Sequence, residues 1–419
     1  MNFISKFLKE DVVPYGVRIL TAATSIRWIG WGFAESLIPI FLFSFAHTYA
    51  ATGLLRSTYD IGYILILPIA GMAADRFLST SLILVGLVIY VFVGSAYFLA
   101  GVTGLVIFVA LARFLNGVAY SLDVLGRETY IRRYTPKEKL ATVFGYFDTV
   151  ADFWWMAAAL AGIFLIKFFS IHILLFMIVP TSLVSFFMVW RFRKKGEEKN
   201  PIVRGRAIKS AYGEVFREIG RWDWKLRLVA MFNFFIAFTS AVVGFFLPIE
   251  AYVQGADLSK AILIGIITTI PTLFGWTLGK LFDRKGSLLF LYGFITFGLL
   301  LGSLALSDSY ILKLCVAFGV GVILEFLSVG SNELITVYTN PEHFGRVGGV
   351  MRSIFDVGSM IGPLAIGVLI DWQGIHLSFL LLAILMCVLA AIFYAVRKEG
   401  FAEFPAVGES YHHKLHQRI

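Results

Sequence analysis

Charged residues lodged inside apolar runs carry the chemistry of this sequence. Arg27, Trp31 and Glu35 follow one another at i, i+4 spacing, which puts both charges on nearly one face of a helix. Asp60 and Arg113 stand at comparable depth in two further runs, and Asp148 and Asp152 lie one turn apart in another. A charge at such depth costs about 2.5–3.5 kcal/mol on insertion scales, so it must pair or face water. Burial makes a carboxylate harder to ionise and a nearby guanidinium makes it easier, which suits the group to taking up and releasing a proton. Glu35, Asp60, Arg113, Arg27, Asp148 and Asp152 are therefore read as a proton-coupling set. In it Arg113 has Glu35 and Asp60 as neighbours, and Arg27 meets Asp123, Asp148 or Asp152. The alternative reading is that these charges only staple helices together. A second set of interior polar residues, Asn233, Glu325, Asn332, Arg352 and Asp356, falls in the later part of the chain. Trp31, Asn233, Glu325 and Asp356 are read as lining a cavity for a small molecule. Glu325 has no cation at its own level, while Arg352 and Asp356 neutralise each other at i, i+4.

The elements that hold these residues follow from composition. With 58% hydrophobic and 15% charged residues over 419 positions, and a mean hydropathy of +0.82, the chain is too apolar for water and takes the lipid bilayer as its solvent. About twelve runs reach the roughly 20 residues that a helical span needs. They start near residues 19, 50, 81, 103, 138, 168, 226, 259, 286, 309, 345 and 374. None shows the alternation of a membrane barrel. The expected fold is an all-α membrane protein of twelve transmembrane helices.

Assigning alternate connections to opposite sides places 30 of the 36 Lys and Arg residues on one side, among them Arg127 to Lys139 and the segment after Arg191. Arg56, Lys167, Lys260 and Lys313 remain on the other side. By the positive-inside rule this predicts cytoplasmic N- and C-termini in a cell membrane. The net charge of +9 is thus topological and gives no reason to invoke nucleic acid. The expected organisation is a six-helix bundle over 1–190, a cytoplasmic linker over 191–225, a second six-helix bundle over 226–398 and a cytoplasmic tail over 399–419. The linker carries Ile208, Ala211, Tyr212, Val215, Ile219 and Trp222 at helical spacing, which predicts a surface amphipathic helix.

Several chemistries are excluded. Cys315 and Cys387 both lie in apolar runs, so no disulfide framework or cysteine metal site is expected. The seven histidines form no catalytic cluster, and His412, His413 and His416 are read as part of an unstructured end rather than a metal site. No phosphate-binding loop is present. No metal, no cofactor and no enzymatic activity are expected.

The two halves repeat. Arg18 precedes Pro39 by 21 residues and Arg227 precedes Pro248 by 21. Gly71, Asp75 and Arg76 correspond to Gly279, Asp283 and Arg284, Glu128 to Glu333, and Phe147-Asp148 to Phe355-Asp356, all in the same order and 205 to 209 residues apart. The interior charges do not repeat: Ile236, Gly244, Thr268 and Phe318 replace Arg27, Glu35, Asp60 and Arg113.

On the Gly-x-x-x-Asp-Arg turns at Gly71 and Gly279, and on Arg113-x-x-Asn116-Gly117 in the fourth span, the sequence resembles the major facilitator superfamily over essentially its whole length. It departs from the family pattern at Phe77 to Thr80, and the proline motif of drug antiporters is missing from the fifth span. Gly358-x-x-x-Gly362-Pro363 occurs only in the eleventh. The resemblance implies two pseudo-symmetric six-helix bundles, a monomer that carries a small-molecule substrate by alternating access, and a cytoplasmic gate at Gly71, Asp75, Arg76, Glu128, Gly279, Asp283, Arg284 and Glu333. Helix ends that hold anions and ion pairs at one depth support that gate on physical grounds as well. The function expected is secondary active transport with protons as coupling ion, leaning toward export of amphiphilic or cationic compounds. A nutrient symporter, a lipid flippase and, remotely, a membrane enzyme are the alternatives.

Overall fold

The structure, a computed structural model, describes residues 13–136, 139–194, 219–274, 287–339 and 344–397, all of them helices and short connections. The chain divides into two compact units, Met1–Glu214 and Val215–Ile419.

Unit 1 contains α1 (Tyr15–Glu35), α2 (Ile38–Ala46), α3 (Tyr49–Arg76), α4 (Ser79–Thr103), α5 (Val106–Tyr134), α6 (Leu140–Leu165), α7 (Ile171–Phe176) and α8 (Ile178–Lys194). The first span is broken, with α1 and α2 meeting at 45° across Ser36-Leu37. Pro39 explains the position of the break, because it has no N–H to give and its ring crowds the carbonyl of Glu35, four residues back. Thr48 caps α3 by accepting from the Ala51 amide at 3.2 Å. Gly104 ends α4 with φ 72°, a left-handed turn that a side chain would strain.

Within this unit α1 packs on α6 and α8, α3 on α5, and α4 on α5 and α8. Two of these contacts need glycine. A Cβ on Gly117 of α5 would lie 2.1 Å from the Tyr59 carbonyl oxygen of α3, and one on Gly32 of α1 would lie 2.3 Å from the Trp155 carbonyl oxygen of α6.

Unit 2 contains α9 (Trp224–Val253), α10 (Leu258–Thr269) with a 3-10 turn at Ile270–Phe274, α11 (Ser287–Leu306), α12 (Tyr310–Tyr338), α13 (Phe344–Gln373) and α14 (Ile375–Arg397). Here α9 packs on α13, α10 on α12, and α11 on α12 and α14, the pattern of unit 1 again. Pro248, the counterpart of Pro39, sits inside an unbroken α9. Asp223 and Asp257 cap α9 and α10 by accepting from Leu226 and Lys260 amides at 2.9 and 2.8 Å.

Among the described residues ten helices are long and apolar enough to cross a membrane, eleven when the bent α1–α2 pair is counted as one span. The expected eighth span begins with α10, and residues 275–286 lie outside the described ones. The twelve spans start within a few residues of the positions expected. Of the expected linker helix, residues 208–218 lie outside the described residues, as does the tail beyond Arg397.

At the far end of unit 2, opposite the start of α9, His376 of α14 binds Asp308 of the α11–α12 turn at 3.0 Å. Gln254 donates to the same carboxylate, and these two hydrogen bonds hold Asp308 below the ordinary carboxylate range. Lys313, expected among loop charges, instead points its buried amine at Gln254.

Candidate functional site

The interior charges of unit 1 form two groups. In the first, Asp123 of α5 is fully buried between two guanidinium groups, 3.1 Å from Arg27 Nε and 2.8 Å from Arg127 Nη2. Arg127 also donates to the Leu20 carbonyl at 3.1 Å and to Thr24 Oγ1, tying α5 to α1. Arg27 stacks over Trp28 and Tyr90, at 4.7 and 5.1 Å from the ring centres. Of the three carboxylates offered to Arg27 by sequence, Asp123 is the partner. Arg127 corrects the charge assignment: counted with the loop residues after the fourth span, it is 2% exposed inside the bundle. Its i, i+4 relation to Asp123 was the available signal.

Beside this triad lies a cavity of about 250 Å³ between α1, α5 and α6. Arg27 and Arg127 form its inner wall, Trp28, Tyr120, Phe144 and Phe147 supply aromatic surface, and Glu128, Asp148 and Asp152 supply carboxylates. Glu128 pairs with Arg132 at 3.4 Å. Asp148 and Asp152 are exposed to the cavity, and neither has a hydrogen bond or ion pair among the described residues. Glu128 and Asp152 instead both press their negative charge on Asp148.

The second group sits nearer the break in the first span. Arg56 pairs with Asp60 at 2.6 Å, and Arg113 reaches the Arg56 carbonyl at 3.4 Å while lying over the Tyr59 ring at 4.9 Å. Glu35 accepts from Trp155 Nε1 of α6 at 2.8 Å. The expected cluster of Arg113 with Glu35 and Asp60 is corrected in its direct contacts: Asp60 pairs with Arg56 and Glu35 with Trp155, while Arg113 is within electrostatic reach of both acids and makes no ion pair with either among the described residues. Arg56 had been placed outside the span, whereas it lies within α3. Trp31, expected to line a cavity, is 4% exposed and packs edge-on against Tyr90 at 5.6 Å, because its face of α1 points at α4.

In unit 2, Asn233 is also a packing residue. It accepts from Ser331 Oγ at 2.6 Å and points its amide at Met351 Sδ 4.0 Å away, joining α9, α12 and α13. Asp356 pairs with Arg352 at 3.3 Å. Glu325 is half-buried on α12 with no hydrogen bond or ion pair among the described residues. The repeat offset makes it the counterpart of Tyr120, which lines the cavity of unit 1.

Of the expected gate, the side chains of Asp75 and Arg76 and the whole of Gly279, Asp283 and Arg284 lie outside the described residues. Gly71 is on α3 with nothing within 4 Å of where a Cβ would stand, and Glu333 is on α12. Arg133 was missed. Its guanidinium caps the end of α3 by donating to the Ala74 carbonyl at 2.6 Å, next to the Asp75-Arg76 turn.

The family model described as Major Facilitator Superfamily matches residues 20–350 and again 290–417, the whole of the repeated architecture. This chain belongs to that superfamily. Among solved structures, a point mutant of the nucleoside transporter NupG superposes with a TM-score of 0.73 at 15% identity, covering 91% of this chain and 99% of that one. A bacterial homologue of the human lysosomal transporter Spinster, in an inward-facing and occupied conformation, superposes with a TM-score of 0.70 at 14% identity, covering 94% and 98%. At such identities the likeness is one of fold. Among curated protein sequences none matches significantly. As a superfamily member the chain is a multi-pass membrane transporter of small molecules and not an enzyme.

Proposed function

We propose that this chain is a proton-coupled secondary transporter that moves amphiphilic organic cations by alternating access, as a monomer in the cell membrane with both termini cytoplasmic. The observation that carries the cargo class is the cavity of unit 1, where Asp148 and Asp152 make no ion pair among the described residues and stand amid Trp28, Tyr120, Phe144 and Phe147. An aromatic wall takes up the apolar body and the ring faces attract the positive charge. The two carboxylates outweigh the single net positive charge of the Arg27–Asp123–Arg127 triad in the same wall.

Proton coupling is supported by Glu35, which is exposed, held by a neutral donor and within electrostatic reach of Arg113, Arg56 and Arg27. The orientation rests on the excess of basic residues on one side. Gly71, Asp75, Arg76 and Glu128, with Gly279, Asp283, Arg284 and Glu333, form the latch that opens and closes on that side. The two bundles and the linker over 191–225 supply the rocking halves.

Two measurements test this reading. In proteoliposomes with an imposed pH gradient, Glu35→Gln should abolish uphill movement of tetraphenylphosphonium while leaving downhill exchange intact; persistent uphill movement would exclude Glu35 as the carrier. Binding of the same cation to purified protein should weaken roughly tenfold in the Asp148→Asn/Asp152→Asn double variant, since a unit charge at about 4 Å contributes about 1 kcal/mol even in water and two are removed. Unchanged affinity would remove the cation reading.

A further inference from the structure

The cavity of unit 1 has a positive pole as well as a negative one. Asp123 accepts from Arg127 Nε at 2.8 Å, and Arg127 donates further to the Leu20 carbonyl and Thr24 Oγ1. Arg127 and Asp123 are thus a hydrogen-bonded neutral pair, and the net positive charge of the triad is left on Arg27. That guanidinium is 2% exposed, and its Nε lies 3.1 Å from Asp123 Oδ2 without making a hydrogen bond. Arg27 places none of its N–H donors in a hydrogen bond among the described residues. The Trp28 and Tyr90 rings attract its charge, but a ring face offers no lone pair to N–H groups that point along the guanidinium plane. Buried donors left in this state are costly. The fold does not demand the charge, because the repeat puts a buried Ile236 at the same place in unit 2. Arg27 of α1 lines the cavity together with Asp148 and Asp152 of α6, yet it makes no ion pair with either among the described residues and is not among the charges that act on them.

We propose that Arg27 is a specificity-determining residue that receives an anionic oxygen of the cargo, which makes the cargo a zwitterion. Its cationic group goes to Asp148 and Asp152, its anionic oxyacid group to Arg27, and its apolar body to the aromatic wall between them. The planar fork of a guanidinium matches the oxygens of a carboxylate, sulfonate or phosphate, and the charge-assisted bond is about twice as strong as a neutral one. A bare cation satisfies the two acids and leaves the buried Arg27 without acceptors. A bare anion satisfies Arg27 and meets two carboxylates of its own sign. A molecule that carries both signs pairs every charge the cavity presents. This inference rests on the reading of Asp148 and Asp152 as the cation subsite.

Two soluble probes of one skeleton separate the poles. N,N,N-trimethylphenylalanine is a zwitterion, and its methyl ester keeps the ring and the cation and loses the anion. In calorimetric titrations of purified full-length protein the zwitterion should bind about tenfold tighter than the ester. Arg27→Gln leaves Asp123 and Arg127 as a neutral pair and should abolish the preference, whereas Arg27→Lys keeps the charge without the fork and should retain part of it. A role of Arg27 in packing alone would weaken both probes together and leave their ratio unchanged. Equal or tighter binding of the ester to the wild type, or a preference that survives in Arg27→Gln, would overturn the inference; the wild-type ratio and Arg27→Lys decide if Arg27→Gln does not fold. Asp148→Asn/Asp152→Asn addresses the underlying reading separately. Ester affinity that is unchanged in this double variant, or absent from the wild type, removes the cation subsite, while ester affinity lost there without any preference for the zwitterion in the wild type removes the role of Arg27 alone.

Discussion

Asp123→Ala is expected to cost unit 1 about 3–5 kcal/mol, the range for removing one partner of a buried ion pair. That is a large part of the 5–15 kcal/mol by which a typical domain is stable. Asp123 has no exposure, and among the described residues it is the single carboxylate in contact with two guanidinium groups that are each 2% exposed. Its loss leaves two like charges facing each other across α1 and α5 with no water to receive them. Arg127→Met should be milder, because Arg27 and Asp123 remain a neutral pair and methionine fills part of the vacated volume. Thermal unfolding of the detergent-purified variants checks the order. An Asp123→Ala protein that melts with wild type, or above Arg127→Met, would show that the triad is solvated and contributes little.

Gly117→Leu is expected to yield no well-dispersed protein. The nearest atoms to its Cβ would be backbone, Tyr59 O at 2.1 Å and Tyr63 N at 2.6 Å, so no rotamer change relieves the clash and α3 itself must retreat from α5. Overpacking of flexible side chains costs about 1–3 kcal/mol, and a rigid backbone contact lies at or above the top of that range. The retreat would also pull Gly62 off Phe114 and separate Tyr59 and Tyr63 from Tyr120, whose rings are 6.1 and 5.6 Å away. Gly145→Leu is the control: nothing lies within 4 Å of its Cβ position on α6, and it should behave as wild type. Fluorescence-detected size exclusion of the two variants compares them directly, and equal monodispersity would refute the close crossing.

The gap between sequence and structure is clearest at the first span. Pro39 and Pro248 occupy matching places in the repeat, yet one breaks its helix and the other is absorbed in a continuous one. A proline makes a break available, and the packing around it decides whether the chain takes it. Trp155 shows the same limit. Its separation from Glu35 by 120 residues carries no periodic signal, and only the approach of α6 to Gly32 makes it a partner.

By itself the amino-acid sequence determined the number and order of the spans, the repeat of one six-helix unit and the presence of Arg27, Asp60 and Arg113 within the spans. These are local properties, since hydropathy over about 20 residues and the helical period are read from neighbours along the chain. Tertiary structure alone decided which charge meets which. A guanidinium on one helix selects among carboxylates on others by the rotation and offset of each helix, and a shift of a fraction of a turn changes the answer. Hence Arg27 meets Asp123 while Asp148 and Asp152 are left to the cavity, and the direct contacts of the two acids near Arg113 go to Arg56 and Trp155.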